Sequence, residues 1–493
     1  MTCSRLTLAL SIVCMALCRP GAATSADRPN IVLIFADDLG WKDVGYQGSD
    51  FMETPNIDRL AREGMVFTNG YAAAGNCAPS RACLLSGTYT PRHHVYAVGS
   101  TDRGQKNLQR LIPIPNKGGL APENNTMADA LKAAGYATGH FGKWHLDGKG
   151  GAKPSAQGFD ATLDSFGEGA EKEGAEGNKK GPPEDPKGVY TLTRKATEFI
   201  EQHREGPFFV YLAHHAIHTP LQGRPESLAR FEQKTPGEQH KNPMYAACTY
   251  DLDDSVGRLM ASLKELGLEE NTLVVFTSDN GGTQQSPQEP LRGNKGCYYE
   301  GGIREPFIVR WPGTVRPGSK CDVPIINIDL YPTFLAAAGA EVPEGKTLDG
   351  ESLLPLLTGS GELSRQSIFW HFPGYLDGPV IRGRDPVFRT RPVSVIRQGD
   401  WKLHLYHEEW QLDGGREQLA TNNAVELYNV AEDVGERKNI ANENTERRDK
   451  LLGDLLGWFD HADALLPSEP NSEYDPEAKP KGGGRRRQKA SAK

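Results

Sequence analysis

The sequence predicts an α/β fold with a large, central, mostly parallel mixed sheet flanked by helices, plus a smaller C-terminal antiparallel α+β domain. Three observations predict it. Runs at 30–36, 136–141, 207–213 and 272–278 read as strands, and the apolar ones lack the alternation of a half-exposed sheet, as strands buried on both faces do. Helical patterns separate these runs, the order expected of βα units. Beyond about residue 361 the texture changes to short alternating runs at 367–372, 393–397, 402–406 and 425–428, closed by a helix near 446–461.

A chain of 493 residues is long enough for one large domain and a smaller one. We divide it into a signal peptide at 1–26, a large α/β domain at 27–361, a small antiparallel-sheet domain at 362–466 and a disordered basic tail at 467–493. Arg5, the apolar stretch 6–18 and the small residues Gly21-Ala22-Ala23 have the make-up of a cleaved secretory signal. No stretch is long enough for a membrane span. The expected location is therefore secreted or periplasmic. A formal charge of -8 argues against nucleic acid as a partner, and the Arg485-Arg486-Arg487 run reads as a solvated end. Cleavage leaves Cys77, Cys83, Cys248, Cys297 and Cys321, of which the last four could form up to two disulfides.

In chain order, strand 30–36 delivers Asp37-Asp38-Leu39-Gly40. Thr54 can cap a helix that Pro55 starts and Gly64 stops, and 65–68 reads as a strand. Asn76-Cys77-Ala78-Pro79-Ser80-Arg81 then turns from loop into helix, with Pro79 suited to the first helical position and Gly87 to the exit. Cys77 stands just before that helix, where free N–H groups and the dipole favour negative charge. Thr126 with Asp129 forms a capping signal for a helix ending at Gly135. Strand 136–141 delivers Gly142-Lys143-Trp144-His145, and 148–188 reads as an irregular excursion rich in Gly, Glu, Lys and Pro. Helix 191–204 leads to strand 207–213 and His218-Thr219-Pro220. Helix 245–266 leads to strand 272–278 and Asp279-Asn280-Gly281-Gly282. A Gly-rich loop carries Lys295, and 329–339 reads as a helix packed on the sheet.

Ligand groups in open α/β sheets gather beyond the carboxyl ends of the strands. Asp37, Asp38, Asp279 and Asn280 are hard oxygen donors at such ends and suit Ca²⁺ or Mg²⁺ rather than zinc. Arg81, Lys143, His145, His218 and Lys295 sit at strand ends or in Gly-rich loops. With a divalent cation they leave a net positive pocket suited to an anionic tetrahedral ester. His93, His94, Trp370 and His371 are candidates for contact with a sugar.

From Pro29 to about Asp460 the chain resembles a type I sulfatase of the alkaline-phosphatase-like superfamily. The matching blocks are Asp37-Asp38, Cys77-Ala78-Pro79-Ser80-Arg81, Gly142-Lys143-Trp144-His145, His218-Thr219-Pro220, Ser278-Asp279-Asn280-Gly281, and Lys295 before Glu300-Gly301-Gly302-Ile303-Arg304. The resemblance implies that a formylglycine-generating enzyme oxidises Cys77 to formylglycine. It also implies that Asp37, Asp38, Asp279, Asn280 and residue 77 hold one Ca²⁺. One hydroxyl of the hydrated aldehyde would attack sulfur, and deprotonation of the other by His145 would expel sulfate. Arg81 would steady the aldehyde, Lys143 and Lys295 would clamp sulfate oxygens, and His218 would protonate the leaving alcohol. The expected substrate is a sulfated polysaccharide or glycosaminoglycan fragment. The alternatives are a phosphodiester or phosphonate monoester hydrolase using the same aldehyde, or an inactive carbohydrate-binding relative.

Overall fold

A computed structural model describes residues 28–163 and 181–480. The signal-peptide assignment, much of the 148–188 excursion and the end of the basic tail lie outside the described residues. In the first part of the chain the strands are β1 Asn30–Ala36, β2 Met65–Phe67, β3 Gly70–Tyr71, β4 Ala137–Gly142, β5 Ala161–Leu163, β6 Phe208–Ala213, β7 Thr272–Ser278, β8 Ile308–Arg310, β9 Ser319–Cys321 and β10 Ile325–Ile326. Later come β11 Ser367–Phe372, β12 Leu376–Asp377, β13 Phe388–Thr390, β14 Val393–Gln398, β15 Trp401–Tyr406 and β16 Val425–Asn429.

An eight-stranded sheet runs in the order β5-β4-β6-β1-β7-β8-β2-β9. Strands β5, β4, β6, β1 and β7 are mutually parallel, and β8 lies antiparallel between β7 and β2. Every residue of β1 is buried, as its unalternating sequence requires. Ile31, Leu33 and Phe35 face one core with the helices Met127–Ala133 and Leu330–Ala338. Val32, Ile34 and Ala36 face the other with Val189–Gln202 and Pro243–Glu265. Two-residue periodicity thus feeds two layers of helix from one strand. Phe35 pairs with Ala213, and Ala36 with Ser278, so three strands end at one level.

The second sheet, β11-β14-β15-β16, is antiparallel throughout. Helix Thr445–Ala462 covers it with Leu451, Leu452, Leu455, Trp458 and Phe459. Tyr71, Cys83, Tyr96 and Tyr298 join the same apolar cluster, so this sheet packs on β3, on the helix Cys77–Ser86 and on loops of the first part of the chain. A buried ionic cluster adds to the junction. Lys402 Nζ lies 2.9 Å from Glu300 Oε1 and 3.0 Å from Glu436 Oε1, while Tyr71 OH donates to Glu300 Oε2 at 2.7 Å.

Several local expectations change. The helix Cys77–Ser86 begins two residues earlier than Pro79, with Asn76 as N-cap. Pro79 still falls in the first turn, where its missing N–H breaks no helical bond. Thr54 does not cap its helix: its hydroxyl donates to Asp58 Oδ1 at 3.0 Å. Asp253, from the long helix, accepts the free N–H groups of Asn56 and Ile57 instead. Thr126 and Asp129 form the reciprocal capping box expected of them. Cys83, Cys248, Cys297 and Cys321 are free thiols. No described helix is long and apolar enough to cross a membrane.

Glu305, at the end of the Gly-rich segment, is wholly buried, and neither carboxyl oxygen accepts a hydrogen bond among the described residues. Burial, with the charges of Asp279 and Asp43, pushes its pKa well above the ordinary value and keeps it neutral. A raised folded-state pKa means stability that is complete below the unfolded pKa and declines as pH rises toward the folded one. Glu305→Gln should remove that decline. Its stability relative to the unsubstituted protein should therefore improve with pH, by up to about 1.4 kcal/mol per unit above the ordinary glutamate range. Urea unfolding of both proteins from pH 5 to 8 measures it, and parallel pH profiles would contradict a neutral Glu305.

Candidate active site

Because β4, β6, β1 and β7 run parallel, the polar residues after each strand meet at one edge of the sheet. Asp37 and Asp38 follow β1, Asp279 and Asn280 follow β7, Lys143 and His145 follow β4, and His218 follows β6. Asp38 adopts a left-handed backbone, φ 66°, and its N–H donates to Asp279 Oδ1 at 3.0 Å. The helix Cys77–Ser86 points its N-terminus at this edge. Cys77 and Arg81 lie four residues apart on one face of it.

Cys77 Sγ is 3.1 Å from Lys295 Nζ and 3.8 Å from Asp38 Oδ1. Arg81 is fully buried and donates from Nε and Nη2 to Asp279 Oδ2, at 3.1 and 2.7 Å. Its Nη1 donates to Lys143 O and Tyr211 OH. Lys143 Nζ stands 2.7 Å from Asp37 Oδ2, and Lys295 Nζ 2.6 Å from Asp38 Oδ1. Three buried carboxylates thus face three cations, of which Arg81 is fully buried and Lys143 and Lys295 are partly exposed. His218 donates its Nδ1 proton to Thr219 O at 2.6 Å, which leaves Nε2 facing Asp38 Oδ2 at 3.7 Å.

Burial alone would raise Asp37 and Asp38, but Lys143 beside the first and Lys295 beside the second hold both below the ordinary carboxylate range. Burial and the charge of Asp37 push Asp279 up to about 6 against the pull of Arg81. Burial and Asp279 push the Cys77 thiol far up, so as a thiol it is a poor nucleophile. Burial and neighbouring Lys143 keep His145 neutral, and burial lowers His218 against the pull of Asp37 and Asp38.

One carboxyl oxygen each of Asp37 and Asp38, and the Asn280 carbonyl oxygen, accept no hydrogen bond among the described residues although buried. Ligand atoms of Asp37, Asp38, Cys77 and Asp279 lie within 4.8 Å of one another. Buried oxygens without donors are costly unless a cation takes their lone pairs. The set fits a hard divalent ion.

Beyond this cluster opens a cleft of about 350 Å³, lined by Asp38, His218, Thr219, Gln284, Lys295 and Arg389 among others. His93, Trp370 and His371 are buried, which corrects the expectation that they touch a sugar, and neither they nor His94 lines this cleft. Trp370 is fully buried and donates Nε1–H to Ala72 O at 2.7 Å. His371 is held between Ser394 Oγ and Leu465 O. Buried His93 lies against Cys83 Sγ and the Val95 N–H. His94 is half-buried against Tyr96 OH. Trp370, His371 and His93 serve the junction around the C-terminal sheet, where an aromatic ring is worth most as buried area. Sequence reasoning missed Gln284 and Arg389, because neither belongs to a motif and Arg389 is one of four arginines between 382 and 391.

The family model described as Sulfatase matches residues 29–340, and that described as N-sulphoglucosamine sulphohydrolase, C-terminal, matches 293–455. Human arylsulfatase A is 34% identical over 464 residues, 84% of this chain and 84% of that protein. Mouse N-acetylgalactosamine-6-sulfatase is 31% identical, covering 91% of this chain and 89% of its own length. Among solved structures, Ps i-CgsB matches with a TM-score of 0.68 at 29% identity, covering 90% of this chain and 94% of its own.

Arg81→Ala would leave Asp279 buried without its guanidinium. Breaking a buried pair this way costs roughly 3–5 kcal/mol. Chemical denaturation should show a loss of that order; one under about 1 kcal/mol would mean that solvent rather than Arg81 compensates the acid.

Proposed function

The chain belongs to the sulfatase family and is a sulfuric ester hydrolase, and we propose that it desulfates sulfated polysaccharide or glycosaminoglycan fragments with a formylglycine made from Cys77 and one bound Ca²⁺. One observation carries the reading: Cys77, at a helix N-terminus, meets three acids, one amide and two lysines at a single sheet edge. The names of the relatives support a sugar sulfate as substrate.

Asp37, Asp38, Asp279 and Asn280 are the residues that would hold the cation, since they offer oxygen and neither nitrogen nor zinc-favouring thiolate. When bound, the cation and the hydrated aldehyde would supply charge stabilisation and a hydroxyl nucleophile that the buried thiol cannot. Lys143 and Lys295, already inside the site, would meet the sulfate oxygens as electrostatic clamps. Arg81 holds Asp279 and the turn carrying residue 77. His145, neutral, would accept a proton, and His218 would deliver one from Nε2 to the departing sugar oxygen. Cys77 is 1% exposed, so a maturation enzyme would have to act before this loop folds. A cleaved N-terminal signal and a secreted or periplasmic location belong to the same proposal.

Active protein made with a formylglycine-generating system should carry an aldehyde at position 77 and about one calcium per chain, the stoichiometry of a single oxygen-ligand site. Peptide mass spectrometry and elemental analysis read both. A fully active protein with an intact thiol at 77, or with stoichiometric zinc and no calcium, would sink the mechanism.

The lowered pKa of His218 gives a second expectation. A leaving-group acid must be protonated, so kcat/KM on a sulfated sugar should climb as pH falls below the ordinary histidine value of 6.5. A cation beside Asp38 would lower His218 further and leave that sign unchanged. Nitrophenolate leaves with little help, so 4-nitrophenyl sulfate should lack this limb. His218→Ala should cost the sugar substrate roughly 10²–10⁴-fold, abolish its acidic limb, and cost the aryl ester much less. Equal losses on both substrates would remove the proton-donor role.

A further inference from the structure

Three of the four arginines between 382 and 391 are paired. Arg382 meets Glu289, Arg384 meets Glu409 at 2.7 Å, and Arg391 meets Asp385 and also Glu408 at 2.8 Å. Arg389, on β13, forms no ion pair or hydrogen bond among the described residues, and its buried Nε has no partner. The carboxylates whose charge reaches it are committed elsewhere: Asp377 to Arg103 at 2.7 Å, and Asp38 to Lys295 at 2.6 Å. Burial and the charge of Arg103 push its pKa below the usual arginine value.

The side chain nevertheless has a built path. Its Cδ occupies the place where a Cβ on Gly296 would stand, and Gly296 has φ +90°, so glycine is required there on both counts. Gly296 follows Lys295, and Arg389 lines the cleft that also holds Lys295 and His218. Among the described residues Arg389 makes no hydrogen bond or ion pair with Cys77 or the carboxylates around it. A partly desolvated guanidinium without an acid is costly, and an oxyanion with two oxygens side by side matches its fork of donors.

We propose that Arg389 is a specificity-determining residue that binds a second anionic group of the sugar, a carboxylate or a further sulfate, separate from the ester being hydrolysed. The cleft is large enough for a saccharide residue beyond the sulfate. Its neutral polar lining, Thr219, Thr283, Gln284, Gln285 and Asn294, suits hydroxyl groups.

The proposal rests on the sulfatase reading, and the test separates the two. Matched saccharides would be compared: N-acetylgalactosamine 6-sulfate with its 4,6-disulfate, and the 6-sulfate with the same sugar bearing an attached uronate. 4-Nitrophenyl sulfate serves as reference. The unsubstituted protein should prefer the doubly anionic member of at least one pair, and the pair concerned tells sulfate from carboxylate. Arg389→Gln should shrink that kcat/KM ratio by about 10- to 100-fold, mainly through KM, the range for a lost charged hydrogen bond. Arg389→Lys should keep part of the ratio. Absence of any preference, or an equal loss for Arg389→Gln on both members and on the reference, would overturn the proposal. Failure to hydrolyse any sulfate ester would overturn the sulfatase reading instead. Titration calorimetry with the same pairs would then decide the role of Arg389 without turnover: a second-anion preference lost in Arg389→Gln supports it, and equal affinities refute it.

Discussion

Three carboxylates at one end of a buried sheet cannot stay ionised without compensation, and the architecture around them answers that constraint. Arg81 comes from a helix, Lys143 from the end of β4, and Lys295 from a Gly-rich loop. Each sits within 2.7 Å of one acid. Removing such charges from water costs several kcal/mol per ion unless partners are close and well oriented. The partners here nearly saturate the acids but, among the described residues, leave an oxygen of Asp37, of Asp38 and of Asn280 without a donor. Those remaining lone pairs turn a neutralised cluster into a place for a hard cation and an anionic ester.

The second sheet belongs to the same logic. Glu300 lies in the segment that follows Lys295, and Lys402 of β15 holds it in a dry interior shared with Glu436 and His404. Arg304 and Tyr71 take the other oxygen of Glu300. A satisfied buried network of this kind rigidifies the elements that it joins. The C-terminal sheet therefore braces the loop that carries Lys295, while β13, in a separate two-stranded ribbon with β12, brings Arg389 to the cleft. Trp370 and His371 contribute to that bracing by burial, which is why they have no part in the cleft.

Much of the architecture was legible from local pattern. Unalternating runs marked β1, β6 and β7 because strands covered on both faces need apolar residues at every position. Polar residues after those runs marked the active edge, because parallel strands put their carboxyl ends on one side. Thr126 with Asp129 marked its capping box, since that motif closes within four residues. The Thr54 cap failed because Asp253, nearly two hundred residues away, took the helix N–H groups first.

By itself the sequence determined the α/β class, the strand ends, and the motif residues Asp37, Asp38, Cys77, Arg81, Lys143, His145, His218, Asp279, Asn280 and Lys295. Each is written in short range, by hydrophobic period or by a contiguous block. Only the tertiary structure decided which cation faces which acid, that His93, Trp370 and His371 are buried, and that Arg389 stands unpaired at the cleft. Burial and pairing are properties of neighbours brought together from distant parts of the chain. The composition around residue 389, four arginines among ordinary loop residues, carries no mark of which one the fold leaves without an acid.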